Sequence, residues 1–374
     1  MSLFRRALSR LSEDLLVVIL LVALIPLLFL TPVRTWQLHH LVHWQTVGAL
    51  AGLMVLSRGL EVSGYLTLAG QWLLTRVQGE RLLAISLILF SAGLSAVITN
   101  DVALFIVVPL TLALRSVADL PVGRLIIFEA LAVNAGSALS PIGNPQNLFL
   151  WQASGASFWE FTATMAPLAL ALVGLLVAIV PLAFPRQRIV VTEAIAGTTR
   201  HRPLFWMSLL LYVPFLLLTD WGYGAPAALG VIVLYAVYRR QILRGVDWLL
   251  LLVFVLMFIN MNLLATLPLI REWAGQLLQW PGSVFTAGVV TSQMMSNVPA
   301  AIFLHAFTDD WRALAWGVSV GGFGLAIGSL ANLIALRLAR QPGLWKEFHY
   351  WSIPVLLGGI VMAGLLIRAD ALAG

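Results

Sequence analysis

Residues 15–30 read LLVVILLVALIPLLFL, and residues 166–184 read APLALALVGLLVAIVPLAF. Runs this long and this apolar cross the ~30 Å hydrocarbon core of a bilayer as helices. A backbone in lipid must satisfy its own hydrogen bonds, so the fold expected is a helical bundle, an all-α polytopic membrane protein. The composition agrees: the chain is 60% hydrophobic and 10% charged, with mean hydropathy +0.95. A soluble domain carries about 25% charged residues. At ~20 residues per crossing, the apolar segments give roughly ten spans, plus shorter re-entrant pieces.

The charge pattern is one of membrane topology. The formal net charge is +6, and there are no cysteines. The missing cysteines exclude a disulfide framework and a thiolate metal site. The arginines sit in short loops between apolar runs, which points to topology rather than to a nucleic-acid partner. Arg5, Arg6 and Arg10 precede the first run, and TPVRTW rather than a small-residue cleavage site follows it. The expectation is an uncleaved first helix with a cytoplasmic N-terminus. The loop over 33–43, with three histidines and Arg34, then lies outside. Arg58, Arg76 and Arg81, then Arg186, Arg188, Arg200 and Arg202, mark the returns to the inside.

Four segments follow. Residues 1–43 are the N-terminal cytoplasmic segment and first helix, and 44–184 are a first inverted repeat. Residues 185–245 are a basic cytoplasmic linker with connecting helices, and 246–374 are a second inverted repeat. The span at 44–60 runs inward and that at 246–262 runs outward. Each starts near a Trp (Trp44, Trp248) and is followed by a short amphipathic piece, at 62–76 and 265–279. Inverted-topology repeats predict this arrangement.

The polar interruptions sharpen the repeat. Ser95, Thr99, Asn100 and Ala103 are spaced S-x3-T-N-x2-A, and Ser292, Ser296, Asn297 and Ala300 are spaced S-x3-S-N-x2-A. Gly136, Ile142, Gly143, Asn147 and Leu148 give G-x5-I-G-x3-N-L. Gly321, Ile327, Gly328, Asn332 and Leu333 repeat it with the same gaps. Two paired matches in the same order point to internal duplication.

Each pair has a physical reading. Pro145 lacks an N–H and Gly143 leaves helical geometry at little cost, so the helix over 125–150 breaks near Gly143. Carbonyls freed at membrane depth survive only inside protein or beside a water-filled cavity. With the side-chain oxygens of Asn144 and Asn147 they form an oxygen-rich site suited to Na⁺. In the second half Ala326 and Leu330 stand where prolines would be, so that break relies on Gly321, Gly322, Gly324 and Gly328. TNDV (99–102) and SNVP (296–299) are tight connections between apolar flanks. They read as the tips of two re-entrant hairpins, with Asn100 and Asn297 near the tips. Two tips and two broken helices meeting near the midplane form a substrate and coupling-ion site. Thr99, Asn100, Ser296 and Asn297 are the expected substrate ligands.

Asp101 has no acidic counterpart, because Val298 stands at the matching position. An acid at membrane depth is a functional candidate, and Asp101 suits proton or Na⁺ coupling. The bland alternative is a carboxylate that caps the following helix. His305 and Asp309–Asp310 are expected in a solvated loop, and Glu61 as an interfacial partner of Arg58. Glu129 is divided between a cavity-facing acid and a structural hydrogen bond.

ITNDVALFIVVPL resembles the hairpin segment of the arsenite-permease branch of the ion transporter superfamily. NAGSALSPIGNPQNL, SNVPA and IGSLANL resemble its broken helices and second hairpin. The superfamily also holds NhaD-type Na⁺/H⁺ antiporters and citrate and dicarboxylate carriers, and the nearest group is the YbiR-type inner-membrane permeases. The resemblance covers residues 44 to 365. It implies a homodimer with a fixed scaffold and a transport domain moving as an elevator. It also implies Na⁺ sites at Asn100, Asn144 and Asn147 with backbone at Gly143, and at Asn297, Ser329 and Asn332 with backbone at Gly328. The dicarboxylate carriers keep a third residue, Thr, at each tip; here Asp101 and Val298 replace it, which argues against a carboxylate substrate.

The function expected is ion-coupled secondary transport of a small anion or metalloid oxyacid across the bacterial inner membrane, with no cofactor beyond Na⁺. A Na⁺/H⁺ antiporter is the alternative. An aquaporin-type channel is disfavoured because neither half contains N-P-A. An intramembrane protease is disfavoured because a single acid is placed for it.

Overall fold

The computed structural model describes residues 15–33, 35–75, 77, 79–114, 120–188 and 199–373. Arg5, Arg6, Arg10, Arg34 and Arg76, on which part of the orientation rests, lie outside the described residues. The described chain is helical. A first helix α1 (Leu15–Leu30) leads through a 3-10 segment (Thr35–Leu41) into two similar series of elements.

The first series is α2 (Trp44–Val62), the short α3 (Tyr65–Thr75), α4 (Glu80–Val97), α5 (Asn100–Ala113), α6 (Val122–Ser137), α7 (Pro145–Ser154) and the long α8 (Phe158–Ala183). Two long connecting helices follow, α9 (Arg202–Asp220) and α10 (Gly224–Tyr238), and then a five-residue helix, Arg240–Arg244. The second series is α11 (Trp248–Thr266), α12 (Pro268–Leu277), α13 (Ser283–Met295), α14 (Asn297–His305), α15 (Trp311–Val320), α16 (Leu330–Ala339) and the long α17 (Leu344–Ala373). Both read span, short helix, hairpin, broken helix, long helix.

Five uninterrupted helices among the described residues are long and apolar enough to cross a bilayer: α4, α8, α9, α11 and α17. Counting two bent pairs as spans raises this to seven. The sequence count of roughly ten is higher because it treats apolar runs as whole crossings. Here the runs are cut, and α5 and α16 hold only 14 and 10 residues.

Small residues set the packing. A Cβ at Gly48 of α2 would lie 2.6 Å from the Ala225 Cα. Without that Cβ, α2 seats directly on α10, as small residues allow between membrane helices. Gly136 of α6 lies against the backbone of Ala92 on α4, where a Cβ would come 2.1 Å from a carbonyl oxygen. The helices thereby sort into two bundles. One joins α2 to α9, α10 and α11, with α1 on α11. The other holds both hairpins and both broken helices, flanked by α8 and α17. They meet where α2 faces α5 and α7 and where α11 faces α14.

Both hairpins and both breaks fall where the sequence places them. The first hairpin turns at Ile98–Thr99 and the second at Ser296. Ser296 has φ 74° and ψ 155°, a region normally reserved for glycine. Holding a serine there costs about 1–3 kcal/mol, which the flanking helices must sustain. The first broken helix stops after Ser137 and restarts at Pro145, whose missing N–H falls at a helix start that leaves it unused. The second break needs no proline. Gly324 takes φ +87°, and a 3-10 turn over Ala326–Gly328 carries the chain to α16.

Candidate functional site

The first tip is tied to the first break. The Asn100 backbone N–H donates to Gly143 O at 2.9 Å, and the Asn100 side-chain oxygen accepts from the Asp101 N–H. A Cβ on Gly143 would lie 2.3 Å from Ser137 O and 2.8 Å from Ser95 O, so hairpin and break close on a residue without a side chain. The carbonyls freed at the break are taken by amide groups. Asn147 Nδ2 lies 3.0–3.3 Å from the carbonyl oxygens of Ser137, Ala138 and Ser140. Asn144 Nδ2 donates to Ser137 O, and Asn144 Oδ1 accepts the Asn147 N–H, capping α7.

The second break follows the same plan. Ser329 caps α16 by accepting the Ala331 N–H, as Asn144 caps α7. Asn332 Nδ2 donates to Gly322 O at 2.9 Å, the counterpart of the Asn147 contact with Ser137 O. Gly328 is buried, and a Cβ there would meet Gly321 O at 2.8 Å. Asn297 lies against this break, with its Nδ2 3.2 Å from where a Gly322 Cβ would stand. Thr99, Asn100, Asn144, Asn147, Asn297, Ser329 and Asn332 are all buried.

Two residues that sequence reasoning passed over belong here. Asn134 of α6 crosses to the other repeat. Its Nδ2 donates to Asn332 Oδ1 at 2.7 Å and lies 3.3 Å from Gly322 O, and its Oδ1 accepts from the Ser329 hydroxyl at 2.9 Å. Gln293 of α13 donates to Gly321 O and Phe323 O and accepts the Leu325 N–H, bracing the glycine-rich break. The available signal was a lone amide inside an apolar run two residues before Gly136, and another between Ser292 and its tip.

The oxygen sets of the two halves differ as hosts for a cation. In the first half, Asn147 Oδ1 and Gln146 Oε1 are buried and have no hydrogen-bond partner among the described residues. Buried acceptors left without a donor are costly. In the second half, Asn332 Oδ1 is already occupied by the Asn134 amide.

Asp101 does not join the amide cluster. No side-chain hydrogen bond caps the start of α5 at Thr99, whose hydroxyl is buried without a hydrogen-bond partner among the described residues. Asp101 lines a 230 Å³ cleft with Arg58 and Glu61 of α2 and with Asp247. Arg58 and Glu61 pair at 2.5 Å, as expected for Glu61. Glu129 is fully buried and accepts a hydrogen bond from the Thr111 hydroxyl, the structural alternative for that residue. His305 departs from expectation. It ends α14, half-buried, rather than lying in a solvated loop, because Phe149 packs edge-on against its ring at 5.2 Å. Asp310 is exposed and caps α15.

His305 lines a second cleft, of 370 Å³, at the Trp44 end of α2, with His43, Phe149, Phe258 and Asn262. The Asp101 cleft lies at the other end of α2. Between them the bundle interface narrows to a gap of about 10 Å³, lined by Val47, Leu50, Phe254, Val298 and Ile302 with Thr46 as its one polar side chain. The seam between the bundles is thus polar at both ends and sealed by apolar side chains in the middle.

Comparison with known proteins gives a consistent result. The model of the citrate transporter family, CitMHS, matches residues 6–321. The inner membrane protein YbiR of Escherichia coli is 44% identical over 328 residues, covering 87% of this chain and 88% of that one. An uncharacterized transporter of Methanocaldococcus jannaschii is 31% identical over 351 residues, covering 93% and 94%. The crystal structure of the Alcanivorax borkumensis YdaH transporter is similar in fold, with TM-score 0.58 at 17% identity over 89% of this chain and 88% of that one. The repeated hairpins, the paired breaks and these matches agree: the chain is a membrane transporter, not an enzyme, and belongs to the citrate transporter family of the ion transporter superfamily.

Proposed function

We propose that the protein is a secondary active transporter of a small anion or metalloid oxyacid, driven by Na⁺ or H⁺. It works by alternating access, as a homodimer in the bacterial inner membrane with its N-terminus in the cytoplasm. The observation that carries this reading is the sealed seam between the bundles. One bundle holds every hairpin tip and break, and it meets α2 and α11 across apolar side chains with a polar cleft at each end. A largely apolar seam lets the tip-bearing bundle slide as an elevator with few polar contacts to break, the Thr46 to Gln152 hydrogen bond among them. Thr99, Asn100, Ser296 and Asn297 would bind the substrate, and the side-chain oxygens left without a donor at the first break, Asn147 Oδ1 first among them, would hold the coupling cation. The family's description adds citrate to the anions worth testing, although neither tip keeps the third Thr of the dicarboxylate carriers.

The second reading, a Na⁺/H⁺ antiporter, is favoured by one observation. Asp101, Glu61 and Asp247 share a cleft with a single arginine, a negative vestibule suited to cations. The deciding experiment uses proteoliposomes with an internal pH dye and an imposed Na⁺ gradient, comparing the wild type with Asp101→Asn. Protons moved by Na⁺ alone, and lost in the variant, would establish the antiporter. No movement with Na⁺ alone, followed by flux on adding arsenite, citrate or another small anion, supports the anion carrier.

A further inference from the structure

The two repeats place different residues at one matched position. Asn134 stands two residues before Gly136, and Ser319 stands two before Gly321. Asn134 reaches across to the second break and satisfies it. Ser319 is too short to do the same for the first break, and its hydroxyl is buried without a hydrogen-bond partner among the described residues. Asn147 Oδ1, the counterpart of Asn332 Oδ1, is left without a donor.

The orientation of the Asn134 amide is fixed by its partners. Turned over, its oxygen would face Asn332 Oδ1 and Gly322 O, two acceptors, and the Ser329 hydroxyl would lose its own. As placed, the NH₂ group brings partial positive charge to the Asn332 side-chain oxygen, the acceptor whose counterpart at the first break, Asn147 Oδ1, is left open. The Ser329 proton is spent on Asn134 Oδ1, and its oxygen is already engaged in capping α16.

We infer that the Asn134 amide closes the second-half cation site, so that the chain binds a coupling sodium at the first break alone. The inference rests on the transport reading in its sodium form, and it departs from the one-site-per-repeat pattern that the duplication suggests. Asn134 is a positioning residue here. It sets how many ions accompany each cycle without touching the substrate.

The test is equilibrium binding of radiolabelled sodium to the purified full-length protein, counted as ions per chain. Wild type binds one. Asn134→Ala and Asn134→Ser, the latter placing there the residue of the matched position, bind two. Should both variants fail to fold, Ser319→Asn carries the test. It builds the closing amide on the other side and lowers sodium affinity at the first break at least tenfold. Two ions on wild type would overturn the inference. So would one ion on wild type and on a folded Asn134 variant, or unchanged affinity in Ser319→Asn. Each of these leaves the transport reading standing. No sodium bound by wild type overturns the inference together with the sodium form of that reading, while the proton form is judged by the flux assay.

Discussion

At the scale of the residue, amides and imidazoles carry the polar burden that charges carry in soluble proteins. The breaks free backbone carbonyls, and Asn144, Asn147, Asn332, Asn134 and Gln293 return N–H donors to them. An amide does this with no charge to desolvate. His43 shows the same economy outside the membrane spans. The Thr46 hydroxyl donates to Gln152 Oε1 at 2.7 Å, so its oxygen accepts from His43 Nδ1 at 2.7 Å, which fixes the tautomer. Burial, and secondarily the nearby His305, hold the His43 imidazole below its ordinary value of 6.5. The unfolded chain therefore binds the proton more readily than the folded one. Stability is unaffected above about pH 6.5 and falls as pH drops below it, until the folded group also protonates. Melting temperatures measured from pH 7.5 to 5 should decline on the acid side, and His43→Gln should flatten that decline. An equal decline in both proteins would exclude His43 as its source. The sequence showed His43 and Thr46 three residues apart, but not Gln152, which arrives from α7.

At the scale of the element, breaks and hairpins decide the architecture. The Gly143–Pro145 break was legible because each residue has a local backbone consequence. The second break was legible only through its glycines, and the Gln293 brace was not, because a brace depends on where another helix lies. The Ser296 backbone could not be foreseen either, since a serine at φ 74° is held by its surroundings rather than by its own preference. Gly143 gives the direct test. Gly143→Ala drives a Cβ into Ser137 O and Ser95 O, costing about 2 kcal/mol of overpacking and separating hairpin from break. Thermal unfolding should move down and transport should be lost. Gly174→Ala on α8 is the control. Its Cβ meets nothing within 4 Å, so stability should hold or rise by about 0.5–1 kcal/mol. Equal behaviour of the two variants would refute the close approach at Gly143.

At the scale of the whole molecule, the seam between the bundles is the feature on which function turns. The chain has no native cysteine, so single cysteines report directly on it. Leu50→Cys, in the seal and in neither cleft, should resist a membrane-impermeant thiol reagent at rest and label during turnover. Asn262→Cys, in the Trp44-end cleft, should label in both conditions. Labelling of Leu50→Cys that turnover leaves unchanged would argue against sliding at this seam. The sequence by itself determined the solvent, the helical class, the duplication, and the position of both hairpins and both breaks. All of these follow from local composition and spacing, which act on a chain wherever it lies in space. Tertiary structure alone decided that Asn134 crosses to the other repeat, that Asp101 turns from the amide cluster toward Arg58, Glu61 and Asp247, and that His305 faces His43 across a cleft. Those outcomes depend on which helix faces which, and each partner is remote in the chain, so no local pattern encodes them.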